Sequence, residues 1–419
     1  MRDSSPRCHI ADALSARGVR VLDPASTWFD ESIDPSRFGE GTVIHPGCRF
    51  SGKTLSVGPG CILGEEGPLT LRDCQLGAKV RLRGGSFDHA TLLDGVDGGV
   101  GAHVRPGTLL EEEVAFGHCV GLKQTLLLPF VTMGSLANFC DCLMAGGTSR
   151  KDHSEVGSSY IHFNFTPHGD KATPSLLGDV PRGVMLDRPP IFLGGQGGLV
   201  GPSRLEFGTV LPAGQICRQD VLEPDLMVVP RPVAECARPY DMRVYGKVDR
   251  LAANNFAYIG NLLALDAWYR LARAPRLRAT PHGAACLEGA LARLGECLEE
   301  RARWIGRLRE KVALSADVLA TQAPGSDALA SQRNFLEEAP AFADRLAERL
   351  ERRSEVAVSD AAAAALERLL AIEGTHVDAV RALSPADRET LATWLRAIVE
   401  IGSACPGPGK FSSRRNACD

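Results

Sequence analysis

A six-residue period runs through the first half of the chain, and it limits the fold more than any other feature. The unit is an aliphatic residue, a small one, two loose positions, another small or aliphatic residue and a further loose one. Val57-Gly58-Pro59-Gly60-Cys61-Ile62, Leu76-Gly77-Ala78-Lys79-Val80-Arg81, Val100-Gly101-Ala102-His103-Val104-Arg105 and Phe116-Gly117-His118-Cys119-Val120-Gly121 all fit it. Val156–Ile161, Leu193–Gly198, Leu199–Arg204 and Phe207–Pro212 continue the series. Six residues make one short flat strand and a corner, and three units close one triangular coil. The aliphatic residue then points into a prism and stacks on its copies about 4.8 Å above and below. A solenoid of this kind buries its core one coil at a time and leaves free edges only at its ends. The competing architecture is an antiparallel sandwich, but period-two alternation is poor and the six-residue phase survives several interruptions.

The second half is different. Of 44 glycines, 33 fall in residues 1–232, and the formal charge shifts from −5 in that half to +1 in residues 233–419. Leucines and aromatics in the second half recur at three- and four-residue spacing, for example Leu287, Leu291, Leu294, Leu298, Trp304, Ile305 and Leu308, which predicts helices. Trp268 and Trp304 read as core or interface anchors. The proline-bearing stretch 228–240 marks the boundary. The expected organisation is an N-terminal helix over 1–18, a β-helix domain over 19–232, an α-helical domain over 233–405 and a disordered tail over 406–419.

Several function classes are excluded by composition. The chain carries 47 basic and 51 acidic residues with no basic block, so no nucleic-acid footprint is expected. No apolar run reaches the roughly 18 residues of a membrane span, and the N-terminus lacks a signal-peptide core. Thirteen scattered cysteines in such a chain read as reduced thiols of a cytoplasmic protein, and the lone Cys140-x-Cys142 pair is weak evidence for a metal.

Interruptions of a solenoid map to outer loops, where function concentrates. One spans 160–171 and is dense in polar, aromatic and imidazole groups; another spans 180–190 and runs into the glycines at 194–198. Those glycines suit coil corners or, alternatively, close approach to a ligand; no P-loop follows them. Arg105 and Lys123 are 18 residues apart, one full coil, so they should stack on one face. Two stacked cations favour a phosphate or pyrophosphate between them, the alternative being salt bridges to Glu111–Glu113.

With these residues in view, the first half resembles the acetyltransferase domain of bacterial bifunctional N-acetylglucosamine-1-phosphate uridyltransferase/glucosamine-1-phosphate acetyltransferase. The resemblance rests on ADALSARGVRVLDPASTWFD at 11–30, VGAHVRPGTLLEEEVAFGHCVGLKQTLLL at 100–128 and IFLGGQGGLVGPSRLEFGTVLPAGQICRQDV at 191–221, within residues 10–230. It implies a left-handed parallel β-helix built from hexapeptide repeats and followed here by an all-α domain. It implies that Arg105 and Lys123 hold a sugar phosphate or nucleotide product, with Ser135, Asn138, Asn164, Phe165 and Lys171 also facing the substrate. It places Gly195, Ala213 and Arg231 along a channel for acetyl-CoA or another acyl-CoA, and it implies a homotrimer.

The departures from that family are specific. The family's catalytic histidine stands in a Gly-His-Leu step that reads Gly134-Ser135-Leu136 here, and its neighbouring tyrosine is Asn138. Amine attack on a thioester needs a base, so the expected candidates are His162 first and His118 second, with Asp141 as an alternative. The chain starts directly before the entry helix, so uridylyl transfer is not expected. The leading expectation is a β-helix protein that binds a sugar phosphate or nucleotide sugar and transfers an acyl group. The alternatives are a non-catalytic nucleotide-sugar sensor whose helical half recruits a protein partner, and a zinc hydratase drawing on His103, His118, His153, His162 and His168; no metal site is assigned.

Overall fold

The computed structural model describes residues 6–403, apart from Phe165, 232–234, 236, 238 and 239; of residues 6–8 and 401–403 only the backbone is described. The tail expected over 406–419 and the candidate Phe165 therefore lie outside the described residues. Helix α1 (Pro6–Ala16) caps the start of a parallel β-solenoid of about ten turns. One prism face is a ladder of ten short strands running from Arg20–Val21 through Val43–Ile44, Ala115–Phe116 and Glu155–Val156 to Val210–Leu211. The other two faces join into one sheet, because Gly121–Leu127 and Asn138–Met144 each continue around a corner. Registers bear out the six-residue phase for most units: Val104 pairs with Leu122, and Leu122 with Phe139, each pointing into the prism and fully buried. The units begun at Val100 and Phe207 are two residues out of phase, because Gly98 pairs with Phe116 and Leu193 with Leu211.

The third face explains a sequence pattern that alternation alone would misread. In Leu109-Leu110, Leu126-Leu127, Leu143-Met144 and Leu176-Leu177 both neighbours are buried. The second of each pair lies in the prism core and the first in a separate core shared with the helical half. A strand covered on both sides reads as a continuous apolar run.

That cover is the helical half. After the one-turn α2 (Val180–Gly183) in the second interruption, helices follow as α3 (Asp249–Trp268), α4 (Ala274–Leu277), α5 (Pro281–Gln322), α6 (Asp327–Glu351), α7 (Asp360–Ala371), α8 (His376–Ala382) and α9 (Pro385–Ser403). A π-helical segment, Tyr269–Arg273, joins α3 to α4. The 42-residue α5 is capped by the Thr280 hydroxyl, which accepts from the Gly283 N–H. It lies across the strands at Ser56–Val57, Gln75–Leu76, Ala90–Leu92 and Thr108–Leu110. Gly289 permits this approach, since a Cβ there would collide with the side chains of Gln75 and Thr91. Both expected anchors are buried: Trp268 in the helical core, edge-on to His376, and Trp304 on α5 facing the first interruption.

Candidate functional site

One corner of the prism gathers residues that are far apart in sequence. Successive coils are tied there by Leu136 N–H to His118 O (2.9 Å), Ser159 N–H to Ser135 O (2.8 Å), Gln196 N–H to Ser158 O (2.8 Å) and Gly214 N–H to Gly195 O (2.9 Å). His118, Ser135, Ser158, Gly195 and Ala213 thus occupy equivalent positions down one edge. The residue after each is left-handed: φ is +55° at Cys119, +64° at Leu136, +60° at Ser159, +51° at Gln196 and +75° at Gly214. The residue before the corner must be small; a Cβ on Gly117 would run into Ser135.

Within this edge His118 Nδ1 lies 2.7 Å from Ser135 Oγ, and the same oxygen accepts from the His118 backbone N–H at 3.2 Å. His118 is exposed and Ser135 half-buried. With Nδ1–H donating to Oγ, the Nε2 lone pair is left open to take a proton.

The adjoining face carries the cations. Arg105 and Lys123 sit on neighbouring coils, tied by Arg105 N–H to Leu122 O at 2.9 Å, and Lys123 pairs in register with Cys140. Arg105 Nη2 reaches Cys140 Sγ at 3.2 Å, while its Nε is buried without a partner. Glu111 and Glu112 do not pair with these cations; Arg273 takes both, at 3.0 and 2.7 Å. Asn138 is exposed, in register with Gly121 and Ile161 on this face.

A second corner, occupied by Gly107, Gln124 and Asp141, carries left-handed φ values of +79°, +47° and +57°. Asp tolerates that conformation better than most residues. The buried Asp141 carboxylate accepts from Arg301 Nη2 at 3.0 Å and from Asn164 Nδ2 at 3.4 Å. Lys171 is exposed, its Nζ 5.3 Å from the centre of the Trp304 ring, whose Nε1–H donates to Glu300 at 2.7 Å.

The first candidate base is placed differently. His162 is buried, with Nδ1 2.6 Å from Cys140 O and Nε2 2.8 Å from Ser175 Oγ. Burial pushes its imidazole down to about 4. Both ring nitrogens are occupied, so the ring is closed to an acceptor amine. Arg231 is exposed, beyond the last strand at Ile216–Cys217. Among the described residues no three His, Cys, Asp or Glu side chains converge as a metal cage. Among the described residues no helix is long and apolar enough to cross a membrane. A cavity of about 710 Å³ lies apart from both corners, in the helical half, lined by Leu263, Ala267, Val356, Trp394 and Ile398.

Sequence reasoning missed Arg301 and Glu300, since their partners are supplied only by the fold: Arg301 lies 160 residues from Asp141. Trp304 was visible as an anchor, but not its place against Lys171.

No family model matches the chain. Curated relatives do. The bifunctional protein GlmU of Pelobacter propionicus is 29% identical over 209 residues, half of this chain and 40% of the relative. That of Thermotoga petrophila is 28% identical over 211 residues, covering 50% and 42% of the two chains, and that of Mycobacterium bovis 28% over 215 residues, covering 51% and 38%. The match spans about two-fifths of the length of these relatives and about half of this chain. Together with the parallel β-solenoid, it supports the resemblance to the acetyltransferase β-helix of the bifunctional GlmU proteins.

Proposed function

We propose that this chain is an acyl-CoA-dependent acyltransferase acting on an amino-sugar phosphate or a related nucleotide sugar. The observation that carries the reading is the 2.7 Å contact of His118 with Ser135, on the same corner edge as Gly195 and Ala213. The thioester would lie along that edge past Gly195 and Ala213, with Arg231 toward the far end. The sugar phosphate would be held on the adjoining face by Arg105 and Lys123, with Asn138, Asn164 and Lys171 around the sugar.

The chemistry follows from the free Nε2. His118 takes a proton from the acceptor ammonium, and the amine nitrogen attacks the thioester carbonyl carbon. The tetrahedral intermediate gives up a second proton from its nitrogen to water and collapses with cleavage of the C–S bond, and the imidazolium passes the first proton to the departing thiolate. Ser135 keeps the ring in the productive tautomer. His162 has no part in this sequence other than to fix the Cys140 carbonyl and Ser175.

We place the protein in the cytoplasm and infer a homotrimer through the prism. Ile161, Phe163 and Ile216 are exposed on the face next to the site, and Phe192 on the first face. Adjacent exposed apolar groups on an unpaired face favour association.

Thiol release from acetyl-CoA in the presence of glucosamine 1-phosphate tests the activity. Turnover that falls at least about a hundredfold in His118→Ala, the usual range for a lost general base, supports the assignment. No turnover in the unmodified protein, together with measurable nucleotide-sugar binding, identifies a sensor instead.

A further inference from the structure

The loop that interrupts the solenoid after Phe163 is gripped along its length by the helical half. Arg301 on α5 donates through Nη1 to Lys171 O at 3.1 Å while its Nη2 holds Asp141 at 3.0 Å. Lys311, also on α5, donates to His168 O. The His168 ring stacks on Tyr245 with centres 4.0 Å apart, and its Nδ1 lies 2.8 Å from Met242 O. The Tyr245 hydroxyl donates to Asp170 at 2.7 Å, and Asn255 on α3 donates to Ala172 O at 3.0 Å. Among the described residues the loop's own bonds are fewer: Ala172 N–H to Asp170 (3.0 Å), Gly169 N–H to Thr166 O (2.9 Å), the Thr166 hydroxyl to Asp170 (3.4 Å) and the Thr173 hydroxyl to Asn164 O (3.0 Å).

We propose that the helical half is an intramolecular clamp that sets the conformation of loop 164–172, with Arg301 as its positioning residue. The proposal rests on the acceptor-sugar role given above to Asn164 and Lys171. Arg301 is suited to the task because one planar guanidinium serves two acceptors on different coils, the Asp141 carboxylate and the Lys171 carbonyl. An ammonium is a point charge with no such fork. Arg301 is 2% exposed, so water does not compete for either bond. Asp141 in turn holds Asn164, which links the helix to the side chain proposed to meet the sugar. In this arrangement the helical half sets acceptor affinity without touching the acyl-CoA edge.

The test uses the full chain with two gentle variants, Arg301→Lys and Lys311→Met. The first keeps a cation beside buried Asp141; the second removes a contact at the outer end of the loop. Hydrogen exchange of the amides of 164–172 reads the clamp directly. Acceleration of about tenfold in both variants, the factor for one hydrogen bond's net contribution, with strands 109–110 and 126–127 unchanged, supports the clamp. Unchanged loop exchange in both variants overturns it. Glucosamine 1-phosphate titration reads the acceptor role separately. The expected result is affinity weakened about tenfold in Arg301→Lys, with the acetyl-CoA KM and kcat within about twofold of the unmodified protein. Faster exchange with unchanged affinity and KM overturns Arg301 as a positioning residue. If the unmodified protein does not bind the sugar phosphate, the functional reading fails while the exchange result still decides the clamp.

Discussion

The guanidinium of Arg273 lies 3.0 Å from the Glu111 carboxylate and 2.7 Å from that of Glu112, and Arg273 and Glu111 are 2% and 1% exposed. The Tyr269 hydroxyl donates to Glu111 at 2.7 Å from the same π-helical segment. This is the polar anchor of the helical half on the β-helix, set among the leucines that the two share. Removing one member leaves a buried charge without its partner. Arg273→Met should therefore destabilise the protein by about 3–5 kcal/mol. Urea unfolding checks it; a loss below about 1 kcal/mol would show that the anchor is dispensable.

A second prediction concerns acid stability. Burial lowers His162 from its ordinary value to about 4, so the unfolded chain takes up a proton at a higher pH than the folded one. Its contribution is fully present above the unfolded imidazole's range near 6.5 and is lost as pH falls toward 4. His162→Gln lacks this titration. The stability difference between the unmodified protein and the variant should shrink by about 3 kcal/mol between pH 7.5 and pH 4. A difference independent of pH would place a charged or solvated imidazole at this position.

The coil phase was legible because it is written locally. Val104, Leu122 and Phe139 stack because they fall at the same register position of successive turns. The corner edge was legible in part: the motifs pointed to Ser135, Gly195 and Ala213 one at a time, but the Ser135–His118 contact depends on coil stacking. What escaped the sequence is long-range. Nothing near Asp141 announces Arg301, and nothing near His162 announces that Cys140 and Ser175 enclose its ring. The paired apolar residues at 109–110, 126–127 and 143–144 did carry a signal of two-sided burial that repeat analysis alone passes over.

Assembly gives a third prediction. Light scattering at micromolar concentration should return three times the 44.8 kDa chain mass. Ile161→Asp, on the exposed apolar part of the second face, should shift the protein toward the monomer without unfolding it, because Ile161 is 40% exposed. A monomeric unmodified protein would overturn the inferred homotrimer.

Anion binding gives a fourth. Arg105 is half-buried, and among the described residues its side chain makes one hydrogen bond, to the weak acceptor Cys140 Sγ, and has no carboxylate partner. Arg105→Ala should weaken glucosamine 1-phosphate by about 1.5–3 kcal/mol, the range for a hydrogen bond to a charged group. Thermal stability should barely move. Loss of folding with unchanged affinity per folded molecule would make the residue structural.

The last prediction separates the two members of the corner dyad. His118 is proposed to take the proton and Ser135 only to orient the ring, so their removal should differ in kind. His118→Ala deletes the base and should lower kcat with little change in the acetyl-CoA KM. Ser135→Ala keeps the base and loses one hydrogen bond, worth about 0.5–1.5 kcal/mol. Its kcat should fall only about threefold to tenfold, which is that energy range expressed as a rate factor. Ser135→Ala falling as far as His118→Ala would mean that the hydroxyl takes part in the reaction itself.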